Sequence, residues 1–274
     1  MNYKTLEAEL KKQNWRTFRF DSDTVLDSAK LAEIRENPHL SWHLYCESWW
    51  AGDDLSVFKP VADSVKKISL PVERGIKVIG IDCLVNLAVM SISGDVSEVD
   101  FTKFSHLRHL SVNESCRQGN WHLCESLNYL LIDVPTVNLK KLKALKNLWS
   151  LSVGRGLKSF EGVADLPALR ELRVGGCHLP SIESLGDLPE LRLLLLNLMP
   201  KLANLKGIEG LPNLEDLSVT QCGALRDVSA ISTLTKLMML ELNCCPHIRS
   251  LNSVKLPTDC AVDFIPKGKV GDAF

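Results

Sequence analysis

Cys244-Cys245-Pro-His247 is the one short run in this 274-residue sequence where two thiols and an imidazole crowd together, and the chemistry they offer is metal ligation. A structural metal wants ligands at paired spacings that converge on one centre. No Cys-x-x-Cys pair and no His-Glu-x-x-His accompanies the run. The other histidines, including His106, His109, His122 and His178, are dispersed along the chain. A Gly-rich phosphate loop and a Gly-x-Ser-x-Gly elbow are both missing from the sequence. The residues therefore point to no catalytic group, no cofactor and no metal, and the expectation is a chain that is not an enzyme.

Cys245 has a second explanation in its place within a series. Cys177, Cys222 and Cys245 each follow by three residues the end of a triplet, at Val174, Val219 and Leu242. Those triplets belong to a longer rhythm, because from Leu157 to Val254 an aliphatic residue recurs at nearly every third position. One unit reads Leu179, Ile182, Leu185, Leu188, Leu191, Leu194, Leu196, and the next two repeat it from Leu202 and from Leu225. Candidate strand cores stand at Ile68-Ser-Leu70, Met90-Ser-Ile92, Leu110-Ser-Val112, Leu130-Leu-Ile132, Leu151-Ser-Val153, Leu172-Arg-Val174, Leu194-Leu-Leu196, Leu217-Ser-Val219 and Leu240-Glu-Leu242. Side chains alternate across a strand, so the outer two of each triplet share one face. The three-residue beat between strands suits 3₁₀ turns or extended segments better than α-helix. Pro167, Pro189 and Pro212 recur in Leu-Pro-x-Leu just before a strand, where a missing N–H is tolerated.

A self-similar period of 20 to 23 residues with the pattern LxxLxLxxN/C resembles the leucine-rich repeat family. Residues 55 to 254 carry the resemblance, in the short-repeat form of the bacterial internalins and of a regulator of protein phosphatase one. It implies an α/β repeat solenoid: a curved array with a parallel sheet on its concave face, short 3₁₀ or extended segments on its convex face, and a cap at each end. It also implies that the cysteine at the ladder position faces inward and bonds to backbone groups at the turn. Leucine-rich repeats bind proteins above all else, so a protein-interaction module is implied.

Residues 1–54 do not follow the beat. Thr5 to Gln13 and Asp23 to Asn37 read as short amphipathic helices, and the aromatic run Trp42 to Trp50 completes an expected helical N-terminal cap. Trp49 and Trp50 are either buried in that cap or a partner-binding hot spot. The array is placed at 55–256. Residues 257–274 form a C-terminal cap in which Cys260 to Phe264 is a candidate last strand and Lys267 to Asp272 a polar tail.

Formal charge is −1, from 32 basic and 33 acidic residues, which gives no overall field for nucleic acid or an anionic membrane. The N-terminus lacks a signal-peptide core, and no stretch is long and apolar enough to span a bilayer. Nine scattered cysteines fit a reducing compartment, so a cytoplasmic location is expected.

With the inward positions committed to stacking, recognition falls to outward positions of the strands and those just before them. Read in order they give Arg108, Tyr129, Leu131, Trp149, Arg170, Glu171, Arg173, Arg192, Leu193 and Leu195, turning acidic at Glu215, Asp216 and Glu241. An aromatic and aliphatic group rimmed by arginine and carboxylates is the composition of a protein interface. The expected partner is a protein, either an enzyme or toxin that the chain blocks as an inhibitor or immunity protein, or an enzyme such as a phosphatase that it holds as a scaffold.

Overall fold

In a computed structural model the protein is described over residues 15–21, 26, 29–48, 50, 54–73, 75–113, 116, 119–135 and 137–265. Backbone contacts divide the chain into two units, residues 1–134 and 135–274. The first holds β1 (Arg16–Phe20), β2 (Trp42–Cys46), β3 (Val65–Leu70), β4 (Val89–Ile92), β5 (His109–Asn113) and β6 (Tyr129–Asp133). The second holds β7 (Ser150–Val153), β8 (Glu171–Gly175), β9 (Leu193–Asn197), β10 (Asp216–Thr220), β11 (Met239–Asn243) and β12 (Ala261–Ile265). Within each unit every strand pairs in parallel with the one before it in the chain.

All nine expected strands are present as β3 to β11, and the candidate last strand is β12. Triplet partners are in register: Leu172 lies beside Leu194, Leu194 beside Leu217, and Leu217 beside Leu240. These side chains are buried, so each repeat's apolar row packs on the rows before and after it. Returns between strands are 3₁₀ turns such as Phe101–Lys103, Val163–Asp165 and Ile208–Gly210, as the three-residue beat requires. Asp54, Asp100 and Asn138 each start such a turn by accepting the N–H two residues on, at 2.8 Å from Ser56, 3.1 Å from Thr102 and 3.1 Å from Lys140. Asn120 reaches back one repeat to accept the N–H of Phe101 at 2.9 Å.

The ladder cysteines do what the resemblance implies. Cys177, Cys222 and Cys245 are buried, and their thiols approach backbone carbonyls of Gly154 at 3.1 Å, Thr220 at 3.4 Å and Asn243 at 3.4 Å. Each follows a residue in the left-handed region: Gly176 at φ 68°, Gln221 at φ 56° and Cys244 at φ 56°. Leu198, at φ 53°, precedes Met199, which is buried at the equivalent place in its own repeat.

Among the described residues the expected helical cap is not seen as such. The described part of residues 15–50 contains β1, β2 and one five-residue α-helix, α1 (Ala32–Glu36). Arg-Thr-Phe-Arg-Phe and Trp-His-Leu-Tyr-Cys alternate with period two, and Phe18, Phe20, Trp42, Leu44 and Cys46 fill the inward side. Their repeats are longer: Phe18 pairs with Leu44 and Leu44 with Ile68, offsets of 26 and 24 residues. The register also slips between Trp42 and His43, where Lys66 is the extra residue. Phe20 packs edge-on against Trp50 at 5.3 Å and Phe58 at 5.4 Å between ring centres, which makes Trp50 part of the core. Trp49, the Thr5–Gln13 helix, residues 23–25, 27 and 28 of the Asp23–Asn37 helix, and the Lys267–Asp272 tail lie outside the described residues.

Leu217 is wholly enclosed between Leu194 and Leu240. Leu217→Ala is expected to lower unfolding free energy by about 2–5 kcal/mol, from lost transfer energy and the cavity left behind. Urea denaturation measures it, and a loss below about 1 kcal/mol would contradict this packing.

Candidate protein-binding face

The residue before each strand sets the spacing of the face. In the second unit the carbonyl of Trp149 accepts the N–H groups of both Arg170 and Glu171, at 2.8 and 2.9 Å. The carbonyls of Arg170, Arg192 and Glu215 do the same for the next repeat, ending on Met238 and Met239. Trp149, Arg170, Arg192, Glu215 and Met238 therefore form one row at the repeat spacing, about 4.8 Å per strand. In the first unit Ala88 and Arg108 play the same part, the Arg108 carbonyl taking Asn128 and Tyr129 at 2.9 Å each.

The first unit contributes Arg108, Tyr129 and Leu131 of the expected interface. Arg108 is exposed, but its guanidinium donates to the backbone carbonyls of Ser105 at 2.9 Å and Ser126 at 3.3 Å, so it also stitches two turns together. Tyr129 and Leu131 are half-buried, and Leu131 lies in register with Ser111. Tyr129 packs on His109 with ring centres 5.7 Å apart. His109 is only 9% exposed and its Nε2 meets no hydrogen-bond partner among the described residues. Burial holds its imidazole down to about 4, because charging it would place an uncompensated cation in the packed layer.

The new strands extend this unit's outward face with residues that the repeat count had passed over. Arg19 lies over the Tyr45 ring at 5.2 Å and pairs with Glu47 at 2.9 Å. His43 Nε2 and Ser69 Oγ are 2.9 Å apart, and burial, then Lys67 and Arg19, bring the His43 imidazole down to about 4. The period-two alternation of residues 16–20 and 42–46 was the signal for them.

The second unit carries the remaining ten, among them Leu193, which is half-buried at the start of β9. Trp149 and Leu195 are half-buried on the face, Leu195 standing in register between Arg173 and Ser218. Arg170, Arg192 and Asp216 are exposed, and Arg192 is ion-paired with Glu215. Glu241 accepts the Ser218 hydroxyl at 2.6 Å. Glu171, expected at the rim, is 2% exposed and lies under Arg173, whose guanidinium donates to it at 2.7 Å. The buried Ser150 hydroxyl donates to the same carboxylate oxygen at 3.2 Å. These three tie β7 to β8 and leave the guanidinium of Arg173 partly open. Met238 and Met239, outside the expected cluster, are among the most exposed large apolar residues described, at 63% and 43%. Among the described residues no three His, Cys, Asp or Glu side chains converge as a metal would need.

Two expectations follow. Arg173→Met removes the cation beside a buried carboxylate and should destabilise by about 3 kcal/mol, with much of the loss recovered in the Arg173→Met/Glu171→Gln double variant. Urea titration of the single and double variants decides it, since equal losses would show the pair to be energetically idle. The His109 imidazole titrates at about 4 in the fold and about 6.5 in an unfolded chain. As pH falls from about 6.5 to about 4 only the unfolded chain gains this proton, so stability contributed above that window is lost across it, by at most about 3 kcal/mol. His109→Gln should flatten this part of the stability–pH curve, and an unchanged slope would refute the assignment.

No protein-family model matches the sequence, and no curated protein matches it. Solved structures do resemble the fold. The internalin InlF of Listeria monocytogenes is 16% identical, with 94% of this chain covering 88% of that one at a TM-score of 0.50. TLR13, solved in complex with ssRNA13, is also 16% identical, with 87% of this chain covering 38% of that one at 0.58. The Toll–Spätzle complex of Drosophila gives 15% identity, 84% and 36% coverage, and 0.58. At these identities the likeness is one of fold. Parallel strands in chain order, 3₁₀ returns, an inward sulfur ladder and these likenesses identify the fold as a leucine-rich repeat solenoid.

Proposed function

We propose that this chain is a non-catalytic module that engages a protein partner through the outward face of its strands. The observation that carries the reading is the row of half-buried and exposed side chains on and just before β7 to β11, where Trp149, Leu193, Leu195, Met238 and Met239 occupy positions the core does not need. Large apolar groups held open beside arginines and carboxylates favour protein recognition. The finer reading is an inhibitor that covers its partner, as an immunity protein covers a toxin. A scaffold that holds an enzyme such as a phosphatase without blocking it is the alternative, and the captured partner's activity separates the two.

Near-neutral charge and the carboxylates of β10 to β12 favour a protein over nucleic acid. No described helix is long and apolar enough to cross a membrane. All nine cysteines are free thiols, which supports a cytoplasmic setting.

The partner that co-purifies with the tagged chain is the reagent for the test. Trp149→Ala and Leu195→Ser should each weaken its binding by about 1–4 kcal/mol in calorimetry while leaving the circular dichroism spectrum unchanged. Wild-type affinity in both variants would remove the interface from this face.

A further inference from the structure

Lys67 stands half-buried on the outward side of β3, since Ile68 and Leu70 take the inward positions of that strand. Among the described residues no carboxylate pairs with it. Burial pulls its ammonium below the usual lysine range, and no acidic neighbour opposes the shift. His43 lies beside it in register, and after burial the influences that hold the imidazole down are two cations, Lys67 and Arg19. Arg19 is already paired with Glu47, so Lys67 is left as the open charge of this group.

The strands around Lys67 add donors and no competing acid. From β1 to β6 the two outward register lines that pass through Lys67 and Ser69 contain no Asp or Glu. Ser69, Ser91 and Ser111 stand side by side in the second line, about 4.8 Å apart. Tyr45 precedes them and Leu131 follows, so short hydroxyl side chains lie between larger ones. The hydroxyls of Ser91 and Ser111 have no hydrogen-bond partner among the described residues. A free hydroxyl donates to an incoming oxygen, and a carboxylate is the acceptor that also matches the ammonium.

We propose that the outward face of β2 to β5 docks an acidic segment of the protein partner, whose Asp or Glu side chains pair with Lys67 and accept hydrogen bonds from Ser91 and Ser111. This rests on the reading of the strands' outward face as a protein interface and adds the chemistry of the segment that meets the first unit. A basic segment would set cation against cation, and a wholly apolar one would cover the ammonium without a counter-charge.

Fluorescence anisotropy with three labelled probes tests it: a Glu-rich peptide, the same peptide with Gln at every Glu, and an oligouridylate. The wild type is expected to bind the Glu peptide at least about tenfold more tightly than either of the others. Lys67→Met should weaken that binding about tenfold at low salt and little at high salt. Ser91→Ala/Ser111→Ala should weaken it about threefold at both. Both variants should keep the wild-type melting curve, and Trp149→Ala should leave Glu-peptide binding unchanged. Absence of Glu-peptide binding, equal or tighter binding of the Gln peptide or the oligouridylate, or wild-type affinity in either variant overturns the inference. If the native partner binds both variants normally yet still requires Trp149, the interface reading stands and this one falls. Indifference of the native partner to all of these substitutions removes both.

Discussion

Within each unit, every strand after the first is built on the backbone of the one before it. A single carbonyl, at Trp149, Arg170, Arg192 or Glu215, receives two consecutive N–H groups of the following repeat. That bond fixes register, and register decides which side chains face inward. A slip of one residue would turn Leu217 and Val219 outward and bring Asp216 and Ser218 into the apolar layer. A repeat alone cannot oppose this, because its row of leucines is covered only when the neighbouring rows are in place. Backbone pairing and core burial therefore depend on each other, and stability is shared between neighbours.

The same constraint separates stability from recognition. Inward positions are nearly uniform in chemistry, whereas outward positions within one unit range from Leu193 to Asp216 to Met239 along a single register line. The separation is not complete. Ser150, Glu171 and Arg173 stand in outward positions yet hydrogen-bond to one another, with Ser150 and Glu171 buried, and His109 is packed beneath Tyr129. Outward geometry therefore does not by itself make a residue available to a partner.

Much of this could be read in the sequence, for a physical reason. Aliphatic residues at a fixed period announce strands wherever the repeat length is steady, and β3 to β11 fall within that range. β1 and β2 escaped the count because offsets of 26 and 24 residues break the beat, and because Phe18, Phe20 and Trp42 replace leucine on the inward side. Helical propensity in so short a stretch is a weak prior beside period-two alternation. Of the candidate interface, position on the face was legible and exposure was not. Whether Glu171 is a rim charge or a buried one depends on the guanidinium two residues along the strand, which spacing alone does not reveal.

The turn after each strand shows how the repeat tolerates variation. Gly176, Leu198, Gln221 and Cys244 all adopt positive φ, and the N–H groups of the first three donate to the end of the next strand, at Asn197, Thr220 and Asn243, at 3.0 to 3.1 Å. For a residue with a Cβ this conformation costs about 1–2 kcal/mol. What it achieves is to turn the following side chain inward, and that side chain is Cys177, Met199, Cys222 or Cys245. Burying a sulfur side chain and satisfying a backbone donor together offset the strain, so glycine is not obligatory there. The same turn accounts for Cys245 as a member of the inward series. Its thiol is enclosed, with a carbonyl for a partner, and Cys244 beside it is exposed because the turn that buries one residue directs its predecessor to solvent.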